Sequence, residues 1–338
     1  MTHSLRTMNP PAPRSSSPFA EEALERRKKR LMAILSQGLP TLPHYVLDLT
    51  ALLNKQAVDL KKVGNVIRTD PSLSAQVLRL CNSALFGLRR RVLSIEQAAI
   101  LLGTERLRTL VLTCSVMQFA GKYLPKDQLM GFWQHSFLSA LLSERIARQV
   151  DYFEKEQAYL GGLLHDIGQL PMWMLVAEEA AKGREGPRAG WVDNPELERD
   201  YFGMDHCKTG RHMAVAWNFM PSFIDVFESH HAPERAQHDP YLVGIVAAAD
   251  QFLQTQEELV ASASEEPAAP ADAASSPHAI ADQHPPADPP FLQKCLPLLA
   301  EADRASIMEM LQTEYIHLLP LVQLGLAAAT GAASPNSQ

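Results

Sequence analysis

Cysteine is scarce in this sequence, and its spacing excludes a common class of metal site. The chain of 338 residues contains four cysteines, and no two of them form a CxxC pair. Structural zinc sites built from thiolates typically show such pairs, so we expect no thiolate zinc site here. Scattered thiols without a disulfide framework are typical of a reduced, cytoplasmic protein.

The sequence also lacks long apolar runs and an excess of basic charge. No run is long enough to span a membrane, and the first residues, MTHSLRTMNPPAPRSSSP, contain no apolar segment of the kind found in signal peptides. The net charge of -7 gives no global reason to expect nucleic-acid binding. We therefore expect a cytoplasmic protein without a transmembrane segment.

Alternating strand patterns and Asn-Gly turns are missing too, whereas helical spacing recurs along the chain. Apolar residues follow the i, i+3, i+4, i+7 pattern in YVLDLTALLNK, LSAQVLRLCNSALF and FWQHSFLSALLSERIARQV. Signals for helix starts precede two such segments: Asp70-Pro71-Ser72, and Ser94 followed by Gln97 as a capping box. The sequence therefore predicts an all-α domain.

Both ends of the chain differ from this body. Residues 1–18 are rich in Pro and Ser and are expected to be disordered. Residues 19–37 form a predicted helix whose basic run, Arg26 to Arg30, fits a solvated face or a contact with a membrane surface or nucleic acid.

The composition changes again near the C-terminal end. Residues 257–290 are rich in Ala, Pro and Ser and read as a flexible linker. Helical spacing returns in residues 291–332, where Pro297 and Pro320 should divide the segment into short helices. Whether these helices dock on the body or bind a partner stays open from the sequence.

Histidine and aspartate residues recur on or beside the predicted helices of the body. Imidazole nitrogen and carboxylate oxygen together suit divalent zinc, iron or manganese. Ligands on several helices can converge in a bundle core, and seven of them would suit two ions bridged by one carboxylate. The candidate metal ligands are His135, His165, Asp166, His206, His230, His231 and Asp250.

Each candidate also has an ordinary structural interpretation. A single His on an apolar helix is more often a hydrogen-bonded core residue than a ligand. His230 and His231 fit a helix C-terminus, where the dipole favours imidazolium, and Asp250 fits a helix cap. The ordered set of an HD pair, an HH pair and a late Asp nevertheless favours a pocket that binds one or two metal ions.

The chain resembles the HDOD domain, the "HD-related output domain" of bacterial signalling proteins. The resemblance covers about residues 38–256 and is carried by LPTLPHYVLDLTALL, VIRTDPSLSAQVLRLCNSALFG, SIEQAAILLG, FWQHS, LGGLLHDIGQL, DHCKTG and AVAWNFMPSFIDVFESHH. It implies a small helical lobe at about 38–125 and an HD-type lobe at about 126–256. It also implies a regulatory or interaction module related to the HD and HD-GYP phosphohydrolases.

Two departures from the HD-GYP pattern bear on catalysis. All seven candidate ligands stand where that pattern has ligands, but Gln169 replaces a Lys that contacts substrate phosphate. No GYP motif follows the double His, where the chain reads HHAPERAQHDP. A neutral amide gives a weaker phosphate contact than a cation does, so hydrolysis of a cyclic dinucleotide is disfavoured.

Three functions remain from the sequence. The first is a regulatory signalling module that binds one or two ions of Fe, Mn or Zn, acts through other signalling proteins and has no turnover. The second is a metal-dependent phosphohydrolase acting on a nucleotide or other phosphoester, with Asp166 and His206 in its catalytic centre. The third, nucleic-acid binding through Arg26 to Arg30 and Arg89 to Arg91, is the least favoured.

Overall fold

The part of the chain that the structure describes is helical throughout. The computed structural model describes residues 18–36, 71–88, 90–121, 126–265 and 288–330, and none of these residues lies in a strand. The expected all-α class is therefore confirmed. The helices are α1 (Pro18–Ser36), α2 (Pro71–Cys81), α3 (Ile95–Leu102), α4 (Thr104–Ala120), α5 (Lys126–Gln149), α6 (Lys155–Leu164), α7 (Gln169–Ala181), α8 (Pro195–Phe202), α9 (His206–Ala216), α10 (Pro221–Ser229), α11 (Pro240–Glu265), α12 (Pro290–Cys295) and α13 (Glu301–Thr330).

Some sequence predictions lie outside this part of the chain. They are the disorder of residues 1–17, the helix in YVLDLTALLNK, and the linker over residues 266–287. The lobe and domain boundaries also stay predictions.

The start of α3 follows the predicted capping box with one change. The Ser94 hydroxyl accepts a hydrogen bond from the Gln97 backbone N–H at 3.2 Å, as expected. The Gln97 side chain reaches one residue further back, and its Oε1 accepts from the Leu93 N–H at 2.9 Å. The Gln97 N–H, which the helix start leaves without an intrahelical partner, and the Leu93 N–H before the cap both gain an acceptor in this way.

The two ends of the bundle are built around different helices. At one end α2 packs on α3 and α4, with Leu73, Val77 and Leu80 buried. At the other end α5 lies against α6 and α11, and α9 packs on α10 and on α7. Aromatic side chains fill this second core, and Trp133, Phe137, Phe223, Phe227 and Phe252 are fully buried.

Helix α13 shows where the C-terminal segment lies. It runs along α5 and reaches α2, so it joins the two ends of the bundle. Leu311, Val322 and Leu326 are fully buried in this contact, and Tyr315 packs edge-on against Phe252. The segment therefore docks on the body.

Pro320 does not divide this helix, contrary to the sequence prediction. Helix α13 continues from Glu301 to Thr330 with Pro320 inside it. A proline in a helix interior removes one hydrogen bond and crowds the preceding turn. Pro320 is exposed, whereas Leu318 and Val322 on either side of it are buried. Burial of these neighbours offsets the local cost. Pro297 does separate α12 from α13.

Helix α11 is longer than the sequence predicts. The linker was expected to begin at residue 257, but the helix continues to Glu265. The residues EELVASASE are compatible with a helix, and Glu257 contacts His135 on α5. The change in composition therefore marks the end of α11 about two and a half helical turns too early.

The basic run on α1 faces the protein rather than solvent alone. Helix α1 packs on α7, α8 and α9. Arg30 forms a two-pronged ion pair with Glu178 at 2.8 Å, and the Arg27 guanidinium lies 4.1 Å above the Tyr201 ring. The run therefore docks α1 onto the body.

Candidate metal centre

His165 and Asp166 lie in the tight turn between α6 and α7. Two glycines allow this turn to sit deep in the bundle. A Cβ on Gly162 would overlap the Ser139 backbone on α5, and a Cβ on Gly168 would overlap the His206 backbone carbonyl on α9. Close approach of the backbones therefore brings the HD pair against α5 and α9 at once.

The other five candidates come from four more places in the fold. His135 is on α5, His206 begins α9, His230 and His231 follow α10, and Asp250 is on α11. The structure brings all seven predicted residues into one buried cluster at the centre of these helices.

Asp166 lies between two groups of donors. Its Oδ2 is 3.5 Å from His165 Nε2 and 4.0 Å from His135 Nε2. Its Oδ1 is 3.4 Å from both His206 Nε2 and His230 Nε2. The two oxygens of one carboxylate thus face two separate donor sets.

We call these sets the first and the second position. The first position consists of His135, His165, Asp250 and the Asp166 Oδ2; His135 Nε2 is 3.2 Å from Asp250 Oδ1. The second position consists of His206, His230, His231 and the Asp166 Oδ1. In it, His206 Nε2 is 3.1 Å from His230 Nε2 and 3.0 Å from His231 Nε2.

Hydrogen bonds on the far side of the rings orient three of the histidines. His165 Nδ1 donates to the Gly162 carbonyl at 2.8 Å, and His230 Nδ1 donates to the Val226 carbonyl at 2.9 Å. His206 Nδ1 donates to the Glu198 carboxylate at 2.7 Å. A neutral imidazole that donates through Nδ1 presents a lone pair at Nε2. Metal-binding histidines typically have this arrangement.

The donor atoms of the cluster are of the kind that binds a cation. Asp166 Oδ1 is buried and accepts no hydrogen bond among the described residues. A buried carboxylate oxygen without a partner is costly. In the second position, neutral imidazole nitrogens would face one another with their lone pairs about 3 Å apart. A cation between these atoms satisfies all of them.

The electrostatics of the cluster lead to the same conclusion. Burial raises the pKa of Asp250, but His135 and His165 outweigh it and hold that pKa well below its usual value. Burial lowers the pKa of His135, yet its hydrogen bonds with Asp250 and Glu257 raise it well above the ordinary value. Positive charge beside the carboxylates is thus stabilised. Divalent ions would supply that charge and displace the protons of the histidines.

Gln169 is not a free group facing a substrate. It is 2% exposed, and its Nε2 donates to Asp166 Oδ2 at 2.8 Å. Gln169, where the resemblance to HD-GYP proteins implies a phosphate-binding lysine, therefore holds the Asp166 carboxylate instead.

Sequence reasoning missed several residues that contact the cluster, and one of them is a thiol. Cys207 Sγ lies 3.5 Å from His206 Nε2 and 3.9 Å from His230 Nε2. Burial raises the pKa of this thiol, but His206 and His230 outweigh it and lower the pKa to about 6. Its position beside His206 was a usable signal, but a search for CxxC pairs passes over it.

Two more of the missed residues are carboxylates. Glu198 on α8 is fully buried and binds His206 through both Nδ1 and the backbone N–H. Asp193 precedes α8 in a left-handed conformation, and its Oδ1 is 3.1 Å from His231 Nε2. Neither has a spacing in the sequence that relates it to a histidine on another element.

A cavity of about 820 Å³ opens beside the second position. Cys207 and His231 line it on the side of the cluster. Four basic side chains also line it, and two of them are engaged with acidic neighbours: Arg199 with Asp205, and Arg211 with Glu228. The basic lining residues are Arg199, Lys208, Arg211 and Arg235. Asp205, Asp225 and Glu228 line the same cavity, so its wall carries both signs of charge beside the second position.

Among the described residues, no helix combines the length and the apolar character needed to cross a membrane.

Comparison with known proteins identifies relatives of this chain. The sequence model of the HDOD domain matches residues 39–233. A protein of Treponema pallidum (strain Nichols), named only as uncharacterized, is 24% identical over 220 residues. That match covers 64% of this chain and 42% of the relative, so the chain spans less than half of the relative's length.

Solved structures share the fold. An HDOD domain protein of unknown function from Geobacter sulfurreducens superposes with a TM-score of 0.65 at 24% identity, covering 89% of this chain and 98% of its own. A protein named "Putative phosphohydrolase" from Shewanella amazonensis SB2B has a TM-score of 0.60 at 23% identity, covering 88% of this chain and 97% of its own. At these identities the likeness establishes the fold.

Proposed function

The chain belongs to the HDOD domain family, and we propose that it is a regulatory signalling module that binds two divalent metal ions, bridged by Asp166. The observation that carries the proposal is the buried Asp166 Oδ1, which has no hydrogen-bond partner among the described residues and lies 3.4 Å from two imidazole nitrogens. Nitrogen and carboxylate donors suit Fe, Mn or Zn.

Metal binding would join elements that the chain keeps far apart in sequence. We call the turn between α6 and α7, which carries His165 and Asp166, the HD turn. The first position takes its donors from α5, the HD turn and α11, and the second takes them from the HD turn, α9 and the end of α10. An ion that binds only the assembled set stabilises the folded state by mass action. Metal occupancy would thereby set the relative positions of five elements, and this is how the module would present a changed surface to a signalling partner.

Gln169 supports a regulatory role over turnover. Its amide is buried and committed to Asp166, so it offers no positive charge to a phosphate group. The proposed metal ligands are present, whereas this amide replaces the lysine that the HD-GYP resemblance implies as a substrate contact.

The test is the metal content of the full chain, purified without a chelator or a His-tag and then reconstituted separately with Fe, Mn and Zn. We expect about two equivalents, as in bridged two-metal sites. Asp166→Ala should lose them, whereas Asp200→Ala, which changes an exposed carboxylate on α8, should retain them. A wild-type chain that binds none of the three metals would refute the proposal.

A metal-dependent phosphohydrolase is the second candidate, favoured by the cavity beside the second position. Two bound ions supply Lewis-acid chemistry for phosphoester hydrolysis. Asp166 and His206 would hold these ions, while Lys208 and Arg235 at the cavity would bind the substrate phosphate. Phosphate release from a panel of nucleotides and simple phosphoesters by the metal-loaded chain separates the candidates. Turnover that disappears in Asp166→Ala supports the hydrolase, and no turnover by a fully loaded chain supports the regulator.

A further inference from the structure

We propose that Cys207 is a thiolate ligand of the second position, so that the two metal positions differ in kind. The inference rests on the metal binding proposed above and goes beyond it. The first position then offers nitrogen and oxygen donors only, whereas the second combines three imidazoles, a carboxylate oxygen and a sulfur.

The distances agree with one ion shared by sulfur and nitrogen. In a tetrahedral zinc site, bonds of about 2.3 Å to sulfur and about 2.0–2.1 Å to nitrogen place those two donors about 3.5–3.6 Å apart. Cys207 Sγ is 3.5 Å from His206 Nε2, which matches this separation, and 3.9 Å from His230 Nε2, which is wider than it. One donor atom each from His206, Cys207, His230 and His231 falls within 4.8 Å of the others.

The second, independent observation is Asp166. Its unpartnered Oδ1 faces the same two imidazole nitrogens that Cys207 Sγ faces. Nitrogen and sulfur donors from α9 and the end of α10 thus form one group, and the Asp166 Oδ1 faces two of its nitrogens. A sulfur in such surroundings is part of the donor set.

The backbone around Cys207 favours a thiolate. Asp205 caps α9, and its Oδ1 accepts from the Lys208 N–H at 2.9 Å. Cys207 is therefore in the first turn of an 11-residue helix, where the helix dipole stabilises negative charge. Cys81, Cys114 and Cys295 are buried away from the donor groups that the described residues form.

A thiolate ligand has a consequence for metal preference. Sulfur donors select zinc and other soft or borderline ions, whereas carboxylate-rich sites accept manganese. We therefore expect the second position to retain zinc when the first position exchanges its ion for manganese. The chain would then hold two different metals.

X-ray absorption on the zinc-loaded wild-type chain tests the ligand directly. We expect a sulfur neighbour at about 2.3 Å beside the nitrogen and oxygen shell at about 2.0–2.2 Å. Cobalt-loaded protein should show the near-ultraviolet charge-transfer band of a cobalt thiolate. Cys207→Ser should lose both signals. Cys295→Ser should keep both; its cysteine matches Cys207 in exposure at 7% and lies outside the donor groups.

The outcomes separate this inference from the function on which it rests. Two bound zinc ions without a sulfur neighbour would overturn the role of Cys207 and leave the metal centre intact. A chain that binds no metal would overturn both. Because the absorption measurement uses the wild-type chain, it gives an answer even if the Cys207→Ser variant fails to fold.

Discussion

Replacing Glu198 by glutamine tests how the second position is built. The Glu198 carboxylate accepts from the His206 backbone N–H at 2.8 Å, and its two oxygens lie 2.9 and 2.7 Å from His206 Nδ1. A glutamine has nearly the same shape but only one oxygen. In either orientation, its amide NH₂ therefore points at a ring or backbone donor of His206.

The expected loss follows from this conflict. His206 must keep its proton on Nδ1 if Nε2 is to present a lone pair, and an NH₂ group opposite Nδ1 favours the other tautomer. Removing a partner of this kind typically costs 10–100-fold in metal affinity, or about 1.4–2.7 kcal/mol. Because Glu198 touches only His206 among the seven candidate ligands, the loss should fall on one ion of two.

Competition with a coloured chelator measures the two affinities separately. Glu196→Gln is the matched control, because Glu196 is on the same helix and is exposed. We expect the control to match the wild type and Glu198→Gln to release one ion more readily. A folded Glu198→Gln chain that binds both ions with wild-type affinity would refute the role assigned to this carboxylate.

Three further substitutions probe the surroundings of the site. Gly168→Ala should destabilise the fold by about 1–3 kcal/mol, because the new Cβ overlaps the His206 carbonyl; an unchanged melting temperature would contradict this close contact. Gln169→Ala removes the donor to the Asp166 carboxylate. The affinity for both ions should then fall about tenfold in the chelator titration. Glu144→Gln breaks a two-pronged ion pair with Arg106 at 2.9 Å and should cost about 3 kcal/mol in urea unfolding at neutral pH. Burial raises the pKa of Glu144, but its arginine partners lower it below the usual value. The contribution of Glu144 is therefore present above the unfolded pKa of about 4.3 and disappears as the pH falls through the lower folded value. The free energy of unfolding should therefore decrease less on acidification in Glu144→Gln than in the wild type.

The candidate ligands and the helices were both predictable from the apolar pattern of the sequence. Residues that face a common core recur at helical spacing, so α5 and the segments around the HD turn were predictable from apolar periodicity. His165 and Asp166 interrupt an apolar run, and a polar pair in such a run needs partners. Their order along the chain was enough to propose the partners, and the structure brings these residues together. Their role as ligands stays a prediction.

The groups that support the ligands were not predictable in the same way. Glu198 is one of several acidic residues on α8, and nothing in its spacing marks it as buried. Its role depends on the turn that brings the end of α8 back to the start of α9. Pro320 failed as a helix breaker for a related reason, since the burial of Leu318 and Val322 depends on where α13 docks. Tertiary contacts decide both outcomes.

The basic run of α1 connects the N-terminal helix to α8, which carries Glu198. Arg27 Nε donates to the Tyr201 carbonyl at 2.6 Å, and its guanidinium lies over the Tyr201 ring. Tyr201 is on α8, three residues after Glu198 and therefore about one turn further along the helix. The helix that orients His206 is thus held from outside by α1. The sequence left this basic run open to solvent, membrane or nucleic acid. It instead holds the helices beside the candidate metal centre, because its guanidinium groups bind acceptors on α7 and α8.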